Sequence, residues 1–567
     1  MPLTALVALV LVLFYLAHRV YGRLLTRLFG LDPQKSTPAH EHEDGEDFVP
    51  TKRFYLLSQH FSAISAAGPI AGPIMAAVMF GWEPALWWIV LGCIFIGAMH
   101  DFAALVGSMR HGAGSIAQIL KANLNPRSYT VFTLYIWLAL VYVIIAFTDV
   151  TARAFVEVLD VAMPNVPSGR MQVPGAAVAA SSMFYLAISL VMGVVVRRFQ
   201  WPLWLSTVVF VPAVGIAIWA GQHLPLDILA NGDIPSLYWA WIILAYCGVA
   251  SVLPVWLLLQ PRGYLGGFFL YLTLGGGLIG LFIYNPEITW PAVTQPAAGG
   301  LPMIPFLFIT IACGACSGFH GLVCSGTTSK QIDKEPDAHL VGYGGMLLEG
   351  VVAVVSLACV MILKPGSPLS NQPPDKVFGI GIGQFLNALG IPLQFAVTFG
   401  MLAFATFVYD TLDVATRLAR HLFTEFTGWH TRMAGITGTV VTLGLPFWFV
   451  AQTVRDVKGN VVPAYKAIWP LFGSTNQLLA GLTLIGLTLW LAKSKKPRLL
   501  QWLVGIPMLF MMTMTVTALG YQIQAAQDHM MRTVAVVLLA LALWITAEAL
   551  VALLQRTKKP SEPMPHN

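Results

Sequence analysis

Charge is what this chain most lacks. Of its 567 residues only 10% are Asp, Glu, Lys or Arg, whereas 57% are hydrophobic. A soluble domain carries about 25% charged residues, so the sequence excludes a soluble globular protein and is that of a polytopic membrane protein. Cysteine is scarce as well. All six (Cys93, Cys247, Cys313, Cys316, Cys324, Cys359) fall inside apolar runs, which argues for packed thiols and against an extracellular disulfide framework. No HExxH pair or nucleotide-binding glycine loop occurs, so neither an intramembrane metalloprotease nor an ATP-driven machine is expected. The net charge of +6 is too small and too sided to suggest nucleic-acid binding.

Long apolar runs are abundant. Fifteen stretches approach the ~20 residues that cross a bilayer, at about 2–18, 58–80, 84–109, 129–148, 176–196, 202–220, 237–259, 265–284, 304–324, 342–363, 393–416, 434–454, 467–491, 499–521 and 531–554. The first has no basic leader and precedes Arg19, Arg23 and Arg27. It reads as an uncleaved anchor with its N-terminus outside. Alternating from there places 24 of the 32 lysines and arginines inside, a bias of about three to one that supports the count. The C-terminal tail, 555–567, then lies in the cytoplasm. The segment 378–392 is too short to span and reads as interfacial or re-entrant. The acidic loop around His40–Asp47 reads as solvated.

The most informative run is Ala66–Pro73, AAGPIAGP, in mid-span. Pro69 and Pro73 each remove an N–H and clash with the carbonyl four residues back. Backbone freed in hydrocarbon must find partners, and in transporters such breaks commonly build the substrate site. Ser65, Gly68, Pro69, Gly72 and Pro73 are therefore candidate substrate contacts. A break of this kind predicts an inverted partner. Five spans later, 237–259 carries Gly248, Ser251 and Pro254, which adds Gly248 and Ser251 to the candidates. The expected architecture is all-α, with about 15 transmembrane helices in a LeuT-like 5+5 inverted repeat. One helix and loop (1–57) precede units 58–236 and 237–433, and four helices (434–554) follow.

Ionisable residues at membrane depth mark function by default. His60, Asp101, His320, Glu349 and Asp413 are candidate proton carriers, with His100 beside Asp101 and Asp410 nearby. For Asp413 an i,i+4 ion pair with Arg417 is the simpler reading. Cys313, Cys316, His320 and Cys324 share one helical stripe, but Cys313 and Cys324 would lie about 16 Å apart along a helix, too far for one metal. Gly314, Gly318 and Gly321 instead suggest close helix approach. Ser325, Thr327 and Thr328 form a polar mouth for gating or ion binding. Asn476 and Gln477, within SerThrAsnGln at 474–477, join them as candidate gating or ion-binding residues, and the run implies either a local break or interhelical hydrogen bonds.

The segments QHFSAISAAGPIAGP, CGVASVLPVWLLLQPRGYL, PFLFITIACGACSGFHGLVCSGTTSKQ, VGYGGMLLEG and WPLFGSTNQLLAG resemble the carbon starvation protein A (CstA) family. The resemblance covers about 15–490. It implies secondary transport in the bacterial inner membrane, within the LeuT-like superfamily, with peptide uptake in some members and pyruvate/proton symport in close relatives. Matching the motifs points to His60, Gly68, Pro69, Gly72, Pro73, Asp101, His320, Glu349, Asp413, Asn476 and Gln477. The expected partners are a small carboxylate or peptide substrate, a proton rather than sodium, and the lipid bilayer. No cofactor, metal or nucleic acid is expected. A nutrient sensor on the same fold without net flux is the rival reading.

Overall fold

The computed structural model describes residues 2–556, except 46, 124–125, 163–169, 225–234, 299–300, 430, 453–462, 495 and 526–528. The expected tail therefore falls almost wholly outside the described residues. Among the described residues the regular structure is helical apart from two small hairpins, Leu159–Ala162 with Arg170–Val173 and Ala297–Ala298 with Leu301–Pro302, and a single bridge between Thr51 and Ile332. Among the described residues twelve helices are long and apolar enough to cross a bilayer, or thirteen when the bent pair Arg53–Ile64 and Gly68–Phe80 is taken as one span. A shorter apolar helix covers Ser236–Val252. The remaining expected stretch, 304–324, is helical only in pieces.

The helices are, in order, α1 (Leu3–Phe29), α2 (Arg53–Ile64), α3 (Gly68–Phe80), α4 (Trp82–Met109), α5 (Ile116–Asn123), α6 (Pro126–Ala154), α7 (Gly175–Phe199), α8 (Leu203–His223) and α9 (Pro235–Val252). They continue with α10 (Leu259–Tyr284), α11 (Met303–Thr310), α12 (Gly318–Val323), α13 (His339–Met361), α14 (Pro374–Asn387), α15 (Leu393–Thr427), α16 (Arg432–Val450), α17 (Ala464–Lys493), α18 (Arg498–Ala525) and α19 (His529–Arg556).

Two sets of contacts mirror each other. The short helix α5 packs on α4, α6 and α17, and the short helix α14 packs on α13, α15 and α10. Helix α2 lies along α10, as α12 lies along α17. In both sets a short helix joins two spans and touches the helix that packs on the opposite broken one. Helices α8 and α9 are inserted between α7 and α10. A second interruption lies between α11 and α12, whereas none is seen inside the helical part of 237–259. Helix α9 runs unbroken to Val252, and Pro254 follows its end, where a proline commonly terminates a helix. The second break lies seven spans after the first, an odd step, so alternation sets the two in opposite directions. The segment 378–392 is mostly the helix α14, ending at Asn387 and buried along most of its length.

The tightest packing lies around the two breaks. Residues on α4, α13, α15 and α17 are almost all buried there, whereas α8, α16, α18 and α19 expose large apolar side chains. Those exposed faces are what a helix presents to lipid.

Candidate functional site

The first break follows from its prolines. Pro69 cannot donate to the Ser65 carbonyl, so α2 ends at Ile64. The chain turns at Ser65 (φ −81°, ψ 69°), where the Ala66 N–H donates to the Ile64 carbonyl at 2.9 Å. Helix α3 restarts at Gly68 with Pro69 in its first turn, where a missing N–H costs nothing. The two halves bend by 45°. The backbone N–H groups of Ala67 and Gly68 meet no acceptor among the described residues. The buried hydroxyl of Ser65 has no partner either.

A crevice reaches Ala67 and Ala71 from the Met75 end of α3, between Val150, Arg153 and Glu157 on one side and Asp375, Phe404 and Trp469 on the other. It shares Met75, Pro373, Pro374, Tyr465 and Trp469 with an adjoining cavity of about 280 Å³. Arg153 contacts Asp149 at 3.2 Å, and Lys376 contacts Glu157 at 3.1 Å. The crevice thus carries one cation, Arg153, with the acids Glu157 and Asp375 at its wall, and open N–H groups at its base.

The second break has the opposite character. Between Thr310 and Gly318 the chain leaves the helix, and side chains from neighbouring helices take up the freed groups. Trp88 Nε1 donates to the Ile311 carbonyl at 3.1 Å, and Cys93 Sγ contacts the Gly314 carbonyl at 3.1 Å. Gln477 Nε2 donates to the carbonyls of Cys316 and Phe308, at 3.0 and 3.2 Å. Asn476 Oδ1 accepts from the Phe319 N–H at 2.9 Å, and its Nδ2 donates to Ser317 Oγ at 3.1 Å. Asn476 and Gln477 therefore brace this gap from the unbroken helix α17, and the interhelical alternative for 474–477 is the one observed.

The two breaks touch. A Cβ at Gly68 would lie 2.4 Å from Cys313 Cβ, one at Gly72 would lie 2.7 Å from the Thr310 carbonyl oxygen, and one at Gly314 would lie 3.5 Å from Pro69 Cα. Glycine at 68 and 72 is required by this close approach.

Next to the second break lies a fully buried ionisable cluster. His320, one turn into α12, bridges two acids, with Nδ1 2.9 Å from Asp101 Oδ2 on α4 and Nε2 3.1 Å from Glu349 Oε2 on α13. His100 Nδ1 reaches the other Asp101 oxygen at 2.8 Å. His60 on α2 packs against Gly345, one turn before Glu349, and bonds Thr328 Oγ1 through Nδ1 at 2.8 Å. Four of the five candidate proton carriers, His60, Asp101, His320 and Glu349, are thus gathered along α12 and its continuation.

Asp413 is elsewhere. It pairs with Arg262 of α10 and accepts from Tyr246 at 2.7 Å. Arg417 does not pair with it. That guanidinium instead donates to the carbonyls of Ala250 and Leu253, at the end of α9. The expected i,i+4 pair is replaced because a buried arginine 151 residues earlier reaches Asp413 first.

Gly248 and Ser251 also lie away from the breaks. Gly248 faces Leu443, and Ser251 bonds Thr439, both on α16. Ser325 Oγ returns to the Gly321 carbonyl and accepts from the Ile116 N–H, while Thr327 Oγ1 donates to the Val323 carbonyl. Of that expected polar mouth only Thr328 engages an ionisable group. Sequence reading passed over Arg262, Ser62 and Tyr246 as site residues. The available signal was a single charged residue, the arginine, in the otherwise uncharged run LLLQPRGYLGG.

Residues 3–377 and 367–518 match the profile of the family described as carbon starvation protein CstA. The chain is 32% identical over 550 residues to the peptide transporter CstA of Helicobacter pylori (strain J99), covering 85% of this chain and 76% of that protein. It is 29% identical over 607 residues to the pyruvate/proton symporter BtsT of Escherichia coli K12, covering 91% and 81%. Among solved structures, the Eremococcus coleocola manganese transporter bound to an aromatic bis-isothiourea compound superposes with a TM-score of 0.50 at 13% identity, covering 91% of this chain and 99% of that one. A likeness at that identity speaks to the fold, which is LeuT-like.

Proposed function

The chain belongs to the carbon starvation protein CstA family, and we propose that it is a proton-coupled importer of small carboxylates, pyruvate or short peptides, working by alternating access. It is a multi-pass membrane transporter and not an enzyme. We place it in the cell's inner membrane, with its N-terminus outside and its C-terminus in the cytoplasm. The observation that carries the reading is the open first break. Ser65 Oγ and the N–H groups of Ala67 and Gly68 stand without partners beside a crevice lined by Arg153.

Arg153, the one cation that lines the crevice, is the side chain a carboxylate would meet there. The N-terminus of α3 supplies free donors and the positive end of its dipole, which suit a carboxylate. The 280 Å³ cavity above leaves room for the rest of a short peptide.

Coupling to protons follows from the bridged histidine. His320 sits on the short helix α12, directly after the second break, and holds acids from two other helices. A proton gained or lost on this set alters the pairing that ties α12 to α4 and α13. Because α12 is joined to α11 only through the gap, its motion is transmitted to the face that touches Gly68 and Gly72.

The test is uptake of labelled pyruvate into proteoliposomes under an imposed pH gradient, with a dipeptide as competitor. Uptake should rise with outward acidity. Glu349→Gln should abolish gradient-driven accumulation while leaving pyruvate exchange measurable. Uptake that follows a sodium gradient and ignores pH overturns the coupling.

A further inference from the structure

A second buried charge cluster is absent from the mechanism above, and its charges do not balance. Arg262 is fully buried between two carboxylates, with Nε 2.6 Å from Asp410 Oδ1 and Nη1 on Asp413 Oδ2. It is the sole ion-pair partner of either aspartate among the described residues. One guanidinium against two carboxylates leaves a net charge of −1 inside the bilayer. An uncompensated buried charge is strongly destabilising, and a carboxylate so placed takes up a proton instead.

Hydrogen-bond direction says which one. Tyr246 Oη accepts from Arg262 Nη1 at 2.7 Å, so its single hydrogen goes to Asp413 Oδ2, also at 2.7 Å. Asp413 Oδ2 takes both the guanidinium and the tyrosine hydrogen, while Oδ1 has no partner to accept a proton's hydrogen bond, so Asp413 is the better-held anion. Asp410 is approached on its other oxygen by the hydroxyl of Ser62, which can donate or accept. Asp410 therefore tolerates both protonation states.

We propose that Asp410 is a second proton-binding site, separate from the His320 cluster, whose occupancy sets how α2 is held against α15. This inference rests on the proton-symport reading. Ser62 lies on α2 three residues before the break at Ser65, and the next residue of α15, Thr411, bonds the Ala63 carbonyl at 3.1 Å. A proton on Asp410 reverses the Ser62 hydrogen bond and loosens the pull of Arg262, so the inner half of the first broken helix is held differently in the two states. Gly266 makes room for this contact, since a Cβ there would lie 2.4 Å from Asp410 Oδ2 and 2.6 Å from Ser62 Oγ.

The surrounding groups support the assignment. From α7 and α9 come the hydroxyl of Tyr185, turned to the Arg262 carbonyl at 2.6 Å, and the neutral thiol of Cys247. On α15 itself the Tyr409 hydroxyl has no partner, and Arg417, one turn beyond Asp413, is engaged with Ala250, Leu253 and Asp47. On α2 and the turn after α12, His60, Gln59, Thr327 and Thr328 join Arg262 and Asp410 around a cavity of about 10 Å³. That is room for roughly one water.

The decisive measurement is infrared difference spectroscopy of the full-length protein in nanodiscs, across a pH titration. A protonated-carboxyl band should be present at neutral pH, vanish in Asp410→Asn and persist in Glu349→Gln. The same band unchanged in Asp410→Asn overturns the proposal. In proteoliposomes at zero potential under a tenfold proton gradient, Asp410→Asn should lower the steady accumulation of pyruvate about tenfold, the loss of one coupled proton. A ceiling equal to wild type, with the band gone, also overturns it. If Asp410→Asn does not fold, Ser62→Ala should shift the band without removing it, and an unshifted band counts against the site. Wild-type uptake that ignores pH refutes the symport reading instead, whatever the spectrum shows.

Discussion

The two helix breaks face each other and were built differently. The gap at 65–67 keeps its freed groups open, with Ser65 Oγ and two N–H groups unpartnered. The gap at 311–317 has donors aimed at it from two helices, Trp88 and Cys93 on α4 and Asn476 and Gln477 on α17. Prolines make the first break unavoidable, so it needs no side chains to hold it open and can offer its backbone to a ligand. The second break is held open by interhelical bonds and carries His320. In the proposed mechanism openness marks the ligand site, and satisfaction marks the moving part.

The largest expected effect strikes the braced side. Asn476→Leu leaves the Phe319 N–H and the Ser317 hydroxyl buried without their partner. Each such loss costs about 1–3 kcal/mol, so the variant should be destabilised by about 2–4 kcal/mol and melt well below wild type in detergent. Normal melting would mean the gap needs no brace.

Next comes the contact between the breaks. Gly68→Ala drives a Cβ into Cys313, and overpacking of this kind costs about 1–3 kcal/mol. The double variant Gly68→Ala with Cys313→Gly should recover most of the melting temperature. Absence of rescue would show that the two breaks do not meet as described. For this reason a bulky residue at 68 reports on packing before it reports on transport.

The open side should respond in binding alone. Ser65→Ala removes an unpartnered hydroxyl, so stability should hold or rise slightly. KM for pyruvate should rise about five- to tenfold, the worth of one hydrogen bond of about 1 kcal/mol. An unchanged KM would remove Ser65 from the site. The smallest effect is expected at Ser251→Ala. Its neighbour Thr439 keeps its bond to the Gly435 carbonyl, so stability should move by less than about 0.5 kcal/mol and uptake not at all.

The comparison also explains what could be read from the sequence. The first break was legible because proline and glycine mark it chemically, in AAGPIAGP. The second has no proline within the gap itself. Its signal was the small polar run CGACSG beside polar residues on a distant helix, and only packing joins Cys313 to Asn476. Pro254 drew attention to 237–259, but a proline near the end of a span terminates a helix as readily as it breaks one. The apolar stretches were found because the length needed to cross hydrocarbon is a strong constraint. The pairing of Asp413 with Arg262 was not legible, since the i,i+4 rule sees only one helix and tertiary contact overrode it. His60, Asp101, His320 and Glu349 could be chosen one by one for their cost at depth, and the fold then set three of them in direct contact.

Labelling a cysteine at position 75 tests the central claim most directly. Met75 lines both the crevice and the adjoining cavity, two turns beyond the break, and all six native cysteines are buried. In cells expressing Met75→Cys, an impermeant thiol reagent should label that position, and saturating pyruvate or dipeptide should slow the labelling severalfold. Labelling at the same rate with and without either compound, in a variant that still transports, would contradict a substrate site at the open break.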